Sequence, residues 1–304
     1  MAIDIRYADA PLGHEICGVD LSKPIAEEIF AQIEAAYDRY GVILFRGQTL
    51  TPEQQIAFSS RFGQLTRYST DRYNMAAHPE IFIVSNVQEG GRDIGLADGG
   101  RYWHTDMWST THPPRGSILY ALEVPMRDGE PLGDTWFCST SAAYDALPES
   151  LRRAIEGRRA VFSTERYAEL KRARTPVDQA TGKLPASFLE RDVNRPKNIV
   201  QTHDLVKIHP RSGRKCIYFS EEAITHIVDM DEKESADVLA ELHSHVLQSR
   251  FTYRHRWAVG DLITWDNISC MHKAIGDFEP LRRRMHRTTL AALPLPYTAQ
   301  RAAG

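Results

Sequence analysis

Two side chains able to bind a metal stand two residues apart, at His104 and Asp106. In an extended strand, residues two apart point to the same face, so this imidazole and carboxylate could grip one divalent cation while Thr105 faces away. A single His-x-Asp arises easily in a chain with 12 histidines and 40 acidic residues. A lone histidine is more often a hydrogen-bonded core or surface residue, so the pair needs further support.

A second pair of the same type is His78 and Glu80, with Pro79 between them. It stands just before an apolar run at 81–87. Proline in the middle suits a turn better than a strand that carries ligands, so we expect a turn here rather than a metal site.

A third imidazole, His272, precedes a segment rich in arginine. If residues 283–287 form a strand, Arg283, Met285 and Arg287 share one face, and the even-numbered residues beside them share the other. Two cations would then project inward. Because an unpaired buried charge is costly, this arrangement predicts bound anions.

Two histidines and one carboxylate on one face of a metal leave three adjacent coordination positions open, as in the facial triad of iron(II) oxygenases. A bidentate 2-oxo acid can fill two of these positions and O2 the third. Planar, always-charged guanidinium groups such as those of Arg283 and Arg287 are natural anchors for the carboxylates of such a ligand. The residues alone therefore favour iron(II) oxygenase chemistry.

Ordered sequence blocks extend these motifs over nearly the whole chain. They are GVDLSKPI, GVILFRGQTLTPEQQIAFSSRFG, WHTD, GDTWFCSTSAAYDALP, HPRSGRKCIYFS, YRHRWAVGDLITWDN and MHKAIGDFEPLRRRMHRTT. With them the chain resembles the family of taurine dioxygenase and 2,4-dichlorophenoxyacetate dioxygenase. The resemblance implies a double-stranded β-helix core, iron(II), and oxidative decarboxylation of 2-oxoglutarate with O2 to succinate and CO2.

The resemblance also implies roles for individual residues, position by position. It makes His104, Asp106 and His272 the metal ligands. It makes Thr135 and Arg283 the residues that bind the 2-oxoglutarate carboxylate, and Arg287 the arginine that meets the anionic end of the substrate. No catalytic residue is expected beyond the metal ligands. For Trp265, Asp266 and Asn267 we expect a supporting or structural role.

The positions that hold taurine in the family differ here. Gly100 stands where the family has an asparagine, and Tyr68 and Asp71 replace a histidine and a tyrosine. Similarity around YRHRWAVGDLITWDN favours an aryloxyalkanoate or related carboxylate as substrate, with sulfonates and alkyl sulfates as the alternative. Besides Arg287, the residues expected to line the substrate are Tyr68, Tyr102, Trp108 and Phe162, although core packing would explain each of them as well.

Other functions use the same residue types. A zinc hydrolase could hold its metal with the same three ligands and an activated water, but the chain has no His-Glu-x-x-His motif, and the inward arginines would be unexplained. A non-catalytic metal-binding jelly roll would keep the pocket without turnover, and only the complete triad with Thr135 and Arg283 disfavours it. Asp106 leaves no position vacant for chloride, which disfavours a halogenase.

Short β-branched and aromatic runs must position these residues. Strand-like runs stand at 41–47, 81–87, 117–124, 135–138, 215–220, 261–265 and 284–293, and helices are expected at 53–62, 141–158 and 233–250. Many short strands with few, irregularly spaced helices predict a mainly β protein with flanking helices and a cupin-like jelly-roll core. We expect one domain over 1–304, in which the polar segment at about 164–203 forms a lid or a disordered excursion.

The composition fits a globular protein with a sizeable core, since 42% of its 304 residues are hydrophobic and 25% are charged. A net charge of −3 gives no attraction for nucleic acid, and no apolar run could cross a membrane or serve as a signal peptide. Cys17, Cys138, Cys216 and Cys270 lie far apart, which favours free thiols in the cytoplasm. We expect a small-molecule anion as substrate and a homo-oligomer, either a dimer or a tetramer.

Overall fold

The protein is described here by a computed structural model, which covers residues 2–67, 71–97, 99–175 and 199–293. The strands are β1 (Asp4–Arg6), β2 (His14–Cys17), β3 (Val42–Phe45), β4 (Leu65–Thr66), β5 (Asn74–Met75), β6 (His78–Ser85), β7 (Gln88–Glu89), β8 (Arg92–Asp93), β9 (Gly116–Glu123), β10 (Met126–Arg127), β11 (Glu130–Pro131), β12 (Thr135–Ser139), β13 (Arg159–Ser163), β14 (Val200–Asp204), β15 (Val206–Ile208), β16 (Lys215–Ile217), β17 (Ile224–Ile227), β18 (Thr252–His255), β19 (Leu262–Asp266), β20 (Cys270–Ala274) and β21 (Arg284–Leu290). The α-helices are α1 (Glu27–Tyr40), α2 (Pro52–Ser60), α3 (Thr140–Asp145), α4 (Glu149–Ile155), α5 (Thr164–Arg174) and α6 (Glu232–Val246).

Two sheets form the centre of the fold. Within the described ranges the larger sheet has the strand order β1-β2-β3-β19-β9-β21-β6-β5, with β4 also paired to β21, and the smaller sheet has the order β18-β12-β20. Their pairings are antiparallel apart from that of β2 with β3. The predicted mainly β fold with a double-sheet jelly-roll core is confirmed.

Alternation along β3 shows how the layers are packed. Val42 and Leu44 join Phe137 of the smaller sheet in the apolar core between the two sheets. Ile43 and Phe45 point the other way and pack with buried side chains of α1 and α2. Both faces of the strand are therefore buried, because residues two apart share a face and each face has its own apolar partner.

A third apolar cluster covers the outer face of the smaller sheet. Cys138 of β12 and Met271 of β20 pack there with buried side chains of α3, α4 and α6. A continuous helix was expected over 141–158, but the chain forms α3 and α4 instead. Pro148 is the N-cap of α4, and its missing N–H and fixed ring end a helix that approaches from the preceding turn.

The helix predicted at 53–62 is α2, and its start follows the expected capping chemistry. The Thr51 hydroxyl accepts a hydrogen bond from the Gln54 backbone N–H, and the Thr51 backbone N–H donates one to Oε1 of Gln54. Pro52 occupies the first helical position. Two predicted strands are shorter than expected, since those at 215–220 and 284–293 end at Ile217 and Leu290.

The segment expected to be a lid or an excursion is partly regular. Helix α5 occupies its first residues, and its last residues belong to β14, which pairs with β13. Residues 176–198 lie outside the described residues, so lid closure stays a prediction. Among the described helices, none combines the length and the apolar character that a membrane crossing requires.

Candidate active site

His104 and His272 are joined directly through their backbones. The His104 N–H donates to the His272 carbonyl at 3.0 Å, and the His272 N–H donates to the His104 carbonyl at 2.9 Å. This isolated antiparallel bridge attaches the irregular segment before Asp106 to strand β20. It brings the two imidazole rings to a centroid separation of 4.1 Å.

The three predicted metal ligands come together in one cluster. Oδ1 of Asp106 lies 3.7 Å from Nε2 of His104 and 3.8 Å from Nε2 of His272. The three ligand atoms all lie within 4.8 Å of one another, and all three residues are buried. Within the described ranges, this is the one group of three or more histidine, cysteine or acidic side chains close enough to share an ion.

Neighbouring groups orient each ligand. Nδ1 of His104 lies 2.8 Å from the Tyr102 carbonyl oxygen, which can only accept, so the ring proton is held there and Nε2 is left for a metal. The Ser117 hydroxyl donates to Oδ2 of Asp106 at 3.0 Å, which leaves Oδ1 facing the histidines. The His272 ring stacks on Phe137 with the centroids 6.1 Å apart.

The electrostatics of the cluster suit a cation. Burial opposes the charge on Asp106, but Arg287 and the two imidazoles outweigh it and hold the pKa of this carboxyl far below its ordinary value. Burial and the neighbouring His104 keep the pKa of His272 well below its usual range. For His104, burial lowers the pKa while the carboxylates of Glu222 and Asp106 raise it, to about 9. A metal ion bound at Nε2 of His104 would replace the second ring proton that this raised pKa favours.

The donor set and the free space fit iron(II). Two imidazole nitrogens and one carboxylate oxygen on one side of a cation form the 2-His-1-carboxylate set of non-haem iron proteins. Gly100 leaves room beside the ligands, because a Cβ there would lie 2.9 Å from Cε1 of His104. The φ angle of Gly100, +69°, is also one that glycine adopts without strain.

Arg283 is a buried cation next to this cluster. Its side chain is only 6% exposed, and within the described ranges its Nε has no hydrogen-bond partner and no carboxylate pairs with its guanidinium. Burial and the nearby charge of Arg101 lower the pKa of Arg283 to about 10. The guanidinium packs on Gly133, where a Cβ would lie 3.1 Å from Nε. A buried charge in this situation calls for a bound anion.

Thr135 stands two residues after Gly133 and shares a face of β12 with Phe137. It begins β12, where it pairs with Ala274 of β20, while Phe137 pairs with His272. Its hydroxyl accepts a hydrogen bond from Nε1 of Trp257 at 3.0 Å. Arg283 packs on Gly133, two residues before Thr135 in the chain, and joint binding of the 2-oxoglutarate carboxylate by Thr135 and Arg283 stays a prediction.

Arg287 also points inward, as its strand phase requires. Its Nη1 lies 3.4 Å from Oδ1 of Asp106, and its guanidinium carbon lies 5.3 Å from the centre of the Phe82 ring. Since Met285 lies in the core between the sheets, the face that it shares with Arg287 is the inward face of β21. Arg283, which directly precedes the strand, is also buried.

The aromatic residues expected to line the substrate occupy different places. Tyr102 is buried, and its hydroxyl donates to the Leu170 carbonyl of α5 at 3.3 Å. Trp108 and Phe162 lie together in the apolar cluster of α3, α4 and α6, with their rings 6.1 Å apart. Tyr68 lies outside the described residues. A substrate contact for any of the four stays a prediction.

The rival pair at His78 and Glu80 does not form a turn, so that expectation is wrong. Both residues lie in β6, where the strand pairing with β5 tolerates Pro79 close to the sheet edge. Nε2 of His78 lies 2.9 Å from a carboxylate oxygen of Glu53, and Glu80 pairs with Arg67 at 2.8 Å. The two side chains serve separate ion pairs.

The block at Trp265, Asp266 and Asn267 supports the site from behind. The Trp265 ring lies 4.8 Å from that of His272, and the Asn267 carbonyl accepts a hydrogen bond from the Thr105 hydroxyl at 2.7 Å. Asp266 is fully buried and pairs with His209, whose Nε2 lies 3.1 Å from Oδ2 of Asp266. These contacts match the supporting role expected for the block.

Two polar residues at the site were missed from the sequence. Ser117 touches Asp106, as described above, and Glu222 accepts a hydrogen bond from Nε1 of Trp108 at 3.3 Å while raising the pKa of His104. A serine inside an apolar strand run and an acid followed by an apolar stretch were the signals available. Neither indicates its partner without the strand register.

The comparisons with known proteins agree with this site. A family model described as "Taurine catabolism dioxygenase TauD, TfdA family" matches residues 4–289. The alpha-ketoglutarate-dependent 2,4-dichlorophenoxyacetate dioxygenase of Cupriavidus pinatubonensis is 34% identical over 281 residues, which are 89% of this chain and 91% of that protein. The alpha-ketoglutarate-dependent sulfate ester dioxygenase of Pseudomonas putida is 31% identical, with 96% of this chain and 90% of that protein covered.

A solved structure extends the likeness to the fold. The crystal structure of AAD-2 in complex with Mn(II) and N-oxalylglycine superposes with a TM-score of 0.73 at 30% sequence identity. The match covers 97% of this chain and 99% of AAD-2.

Proposed function

This chain belongs to the TauD/TfdA dioxygenase family, and from that premise we propose that it hydroxylates a small organic anion, with an aryloxyalkanoate or a related carboxylate as the favoured substrate. It is an oxidoreductase that depends on iron(II), 2-oxoglutarate and O2. With iron bound, one oxygen atom of O2 replaces a substrate hydrogen by a hydroxyl group, and the other enters succinate as 2-oxoglutarate loses CO2.

In this proposal each residue of the site has one task. His104, Asp106 and His272 hold the metal, and the Ser117 hydroxyl keeps Asp106 in its orientation. Arg283 and Thr135 bind the distal carboxylate of 2-oxoglutarate. Such anchoring fixes the co-substrate before reaction. It lowers the reaction barrier beyond what the binding energy of the contacts gives, because the reacting atoms are then already oriented.

The observation that carries the proposal is the pair of inward arginines beside the triad. Arg283 is buried without a carboxylate partner in the described part of the chain, and Arg287 reaches to 3.4 Å from Asp106. One 2-oxoglutarate cannot easily satisfy both guanidinium forks, so the second is left for the acid group of the substrate. A zinc hydrolase acting on a neutral ester would leave the buried charge of Arg283 without an anion.

The substrates named for two relatives give the order of the candidate substrates for this chain. The relative named for 2,4-dichlorophenoxyacetate supports an aryloxyalkanoate, and the relative named for sulfate esters supports the second candidate, an alkyl sulfate or sulfonate. Hydroxylation of the carbon beside an ether oxygen would give a hemiacetal, which breaks down into a phenol and an oxo acid.

Substrate-triggered oxygen consumption tests the proposal. Purified protein would be given iron(II), ascorbate and 2-oxoglutarate, and then 2,4-dichlorophenoxyacetate, an alkyl sulfate or taurine in turn. We expect succinate formation to match oxygen uptake with the first compound and to be weaker with the others. If hydrolysis of a test ester required zinc and no acid raised oxygen uptake, the proposal would be wrong.

Two further expectations complete the proposal. We propose a cytoplasmic location, which agrees with four cysteines that are all free thiols. We also expect a dimer or a tetramer, which sedimentation velocity would distinguish from a monomer.

A further inference from the structure

Trp257 is linked to the site by a single, fully buried hydrogen bond. Trp257 and Thr135 are 2% and 4% exposed as residues, and Nε1–H of Trp257 donates to Oγ1 of Thr135 at 3.0 Å. In this pair the indole can only donate, whereas a threonine hydroxyl has one hydrogen and two lone pairs. The contact therefore uses a lone pair of Thr135 and leaves its hydrogen for another partner.

The hydroxyl hydrogen of Thr135 has no acceptor among the described residues. The hydrogen bond from Trp257 is the contact that the hydroxyl makes there. A buried donor without an acceptor is costly, by an amount comparable to a lost hydrogen bond. This position is thus prepared for a ligand that accepts.

The indole is held in place by neighbouring groups. Its ring meets the His255 ring edge to face with the centroids 4.4 Å apart, and His255 pairs with Thr135 across β18 and β12. Nε2 of His255 lies 3.1 Å from Oδ2 of Asp261. The same oxygen accepts a hydrogen bond from Nη1 of Arg46 at 2.7 Å. The indole has little freedom to turn away from Thr135.

We propose that Trp257 is a positioning residue for the co-substrate, because its N–H holds the Thr135 hydroxyl in the orientation that donates to the distal carboxylate of 2-oxoglutarate. This inference rests on the proposed function, in which Thr135 and Arg283 bind that carboxylate. A carboxylate only accepts hydrogen bonds, so a hydroxyl fixed as a donor favours it over a 2-oxo acid that ends in an apolar group. Trp257 thereby contributes to the choice of 2-oxoglutarate without touching it.

A double-mutant cycle on binding tests this role. Calorimetric titration of 2-oxoglutarate into anaerobic, iron-loaded protein gives Kd for the wild type, Thr135→Val, Trp257→Phe and the double variant. We expect Kd to rise about tenfold in Thr135→Val, as for the loss of one hydrogen bond to a charged group. Trp257→Phe should raise Kd about fivefold alone and have no further effect once Thr135 is valine.

Matched controls separate positioning from general damage. Trp136 neighbours Thr135 in β12, but its ring packs near the Arg254 guanidinium on the other face, so Trp136→Phe should leave Kd unchanged. With 2-oxobutyrate, which lacks the distal carboxylate, Kd should be the same in the wild type and Trp257→Phe. If Trp257→Phe does not fold, Trp257→His retains an N–H on a smaller ring and takes its place in the cycle, with a partial rise in Kd expected.

The outcomes distinguish the two levels of the proposal. An unchanged Kd in Thr135→Val would show that the proposed role of Thr135 itself is wrong. If Thr135→Val weakens binding but the tryptophan variant does not, only the positioning role fails. Fully additive losses in the double variant, or an equal loss of 2-oxobutyrate binding, would also overturn it, because they are the marks of a purely structural residue.

Discussion

Nη1 of Arg287 lies 3.4 Å from Oδ1 of Asp106, so the arginine proposed to bind the substrate also contacts a metal-ligand carboxylate. Its positive charge is the largest of the influences that hold the pKa of Asp106 low against the opposing effect of burial. A substrate anion at Arg287 would therefore sit next to the metal, where the hydrogen to be replaced must also lie.

Arg287→Ala should lose substrate-coupled oxidation while slow decarboxylation of 2-oxoglutarate without substrate persists. The half-saturating substrate concentration should rise by roughly 10- to 100-fold, because a charge-assisted, two-pronged contact is lost. Iron content, measured by absorption spectroscopy, should not fall. Equal turnover of a neutral compound by the wild type and by this variant would remove Arg287 from the substrate site.

His104→Ala, Asp106→Ala and His272→Ala should each abolish turnover and weaken iron binding. With one of three ligands lost, the ion cannot hold the remaining partners in a fixed geometry. Iron titration and succinate release would be measured together. His78→Ala is the matched control, since His78 pairs with Glu53 and has no proposed part in metal binding. Turnover should survive in this variant. Normal turnover in any triad variant would disprove the ligand assignment.

Ser117→Ala should lower the affinity for iron(II) by about tenfold without changing the fold. The hydroxyl is the donor that orients Oδ2 of Asp106, and loss of such a supporting contact typically costs 10- to 100-fold in metal affinity. Ser59→Ala serves as the control, because it removes an equally buried hydroxyl that contacts Thr288. Equal iron affinity in the two variants would mean that Asp106 is held by its other neighbours.

Arg283→Ala should raise the requirement for 2-oxoglutarate steeply and leave the iron site intact. The variant removes the buried cation that has no acidic partner in the described residues. Arg282→Ala is a close control, since that side chain is 62% exposed and pairs with Glu123. If the 2-oxoglutarate dependence changed in Arg282→Ala rather than in Arg283→Ala, the strand phase assumed for the segment would be wrong.

Asp266→Asn should destabilise the protein at neutral pH by roughly 3 kcal/mol, as for a broken buried pair. Burial opposes ionisation of Asp266, but His209 and the hydrogen bonds from Ser269 lower its pKa below 3.8 overall. A depressed carboxyl pKa gives stability that is present above 3.8 and lost as the pH falls further. Urea unfolding of metal-free protein should thus show the difference from the wild type shrinking below that pH.

A surface acid provides the comparison for Asp266. Asp145 pairs with Arg214 while 60% exposed, so Asp145→Asn should change the unfolding free energy by less than about 1 kcal/mol. A difference for Asp266→Asn that did not depend on pH in the acid range would show that the carboxylate charge is not what stabilises the pair.

The sequence was sufficient where strand periodicity alone decides the outcome. It predicted the inward face of Arg287 and the strands around Val42 and Trp265, because alternation follows from the pleat of a strand. It could not predict that Ser117 reaches Asp106. That contact depends on a tight return of the chain after Asp106, where Met107 has a φ of +52°. A positive φ at a methionine has no sequence signal.

Other differences also come from tertiary context. Pro79 has the chemistry of a turn, but it lies in β6 at an irregularity of the pairing with β5, where the register gives it no ladder partner. The partner of Thr135 could not be predicted, since Trp257 comes from the loop between β18 and β19 and reaches Thr135 through the pairing of β18 with β12.

The backbone bridge joins His104 to a residue, His272, that is synthesised much later, so the metal site is completed only late in synthesis. Synthesis produces His104 and Asp106 early, whereas His272, Arg283 and Arg287 all follow in the later part of the chain. A half-made chain therefore offers two ligands at most and neither arginine. Iron held by such a fragment would have no anchored co-substrate and no completed strand β20 beside it. The order of residues along the chain thus leaves the metal site incomplete until β20 and β21 have been synthesised.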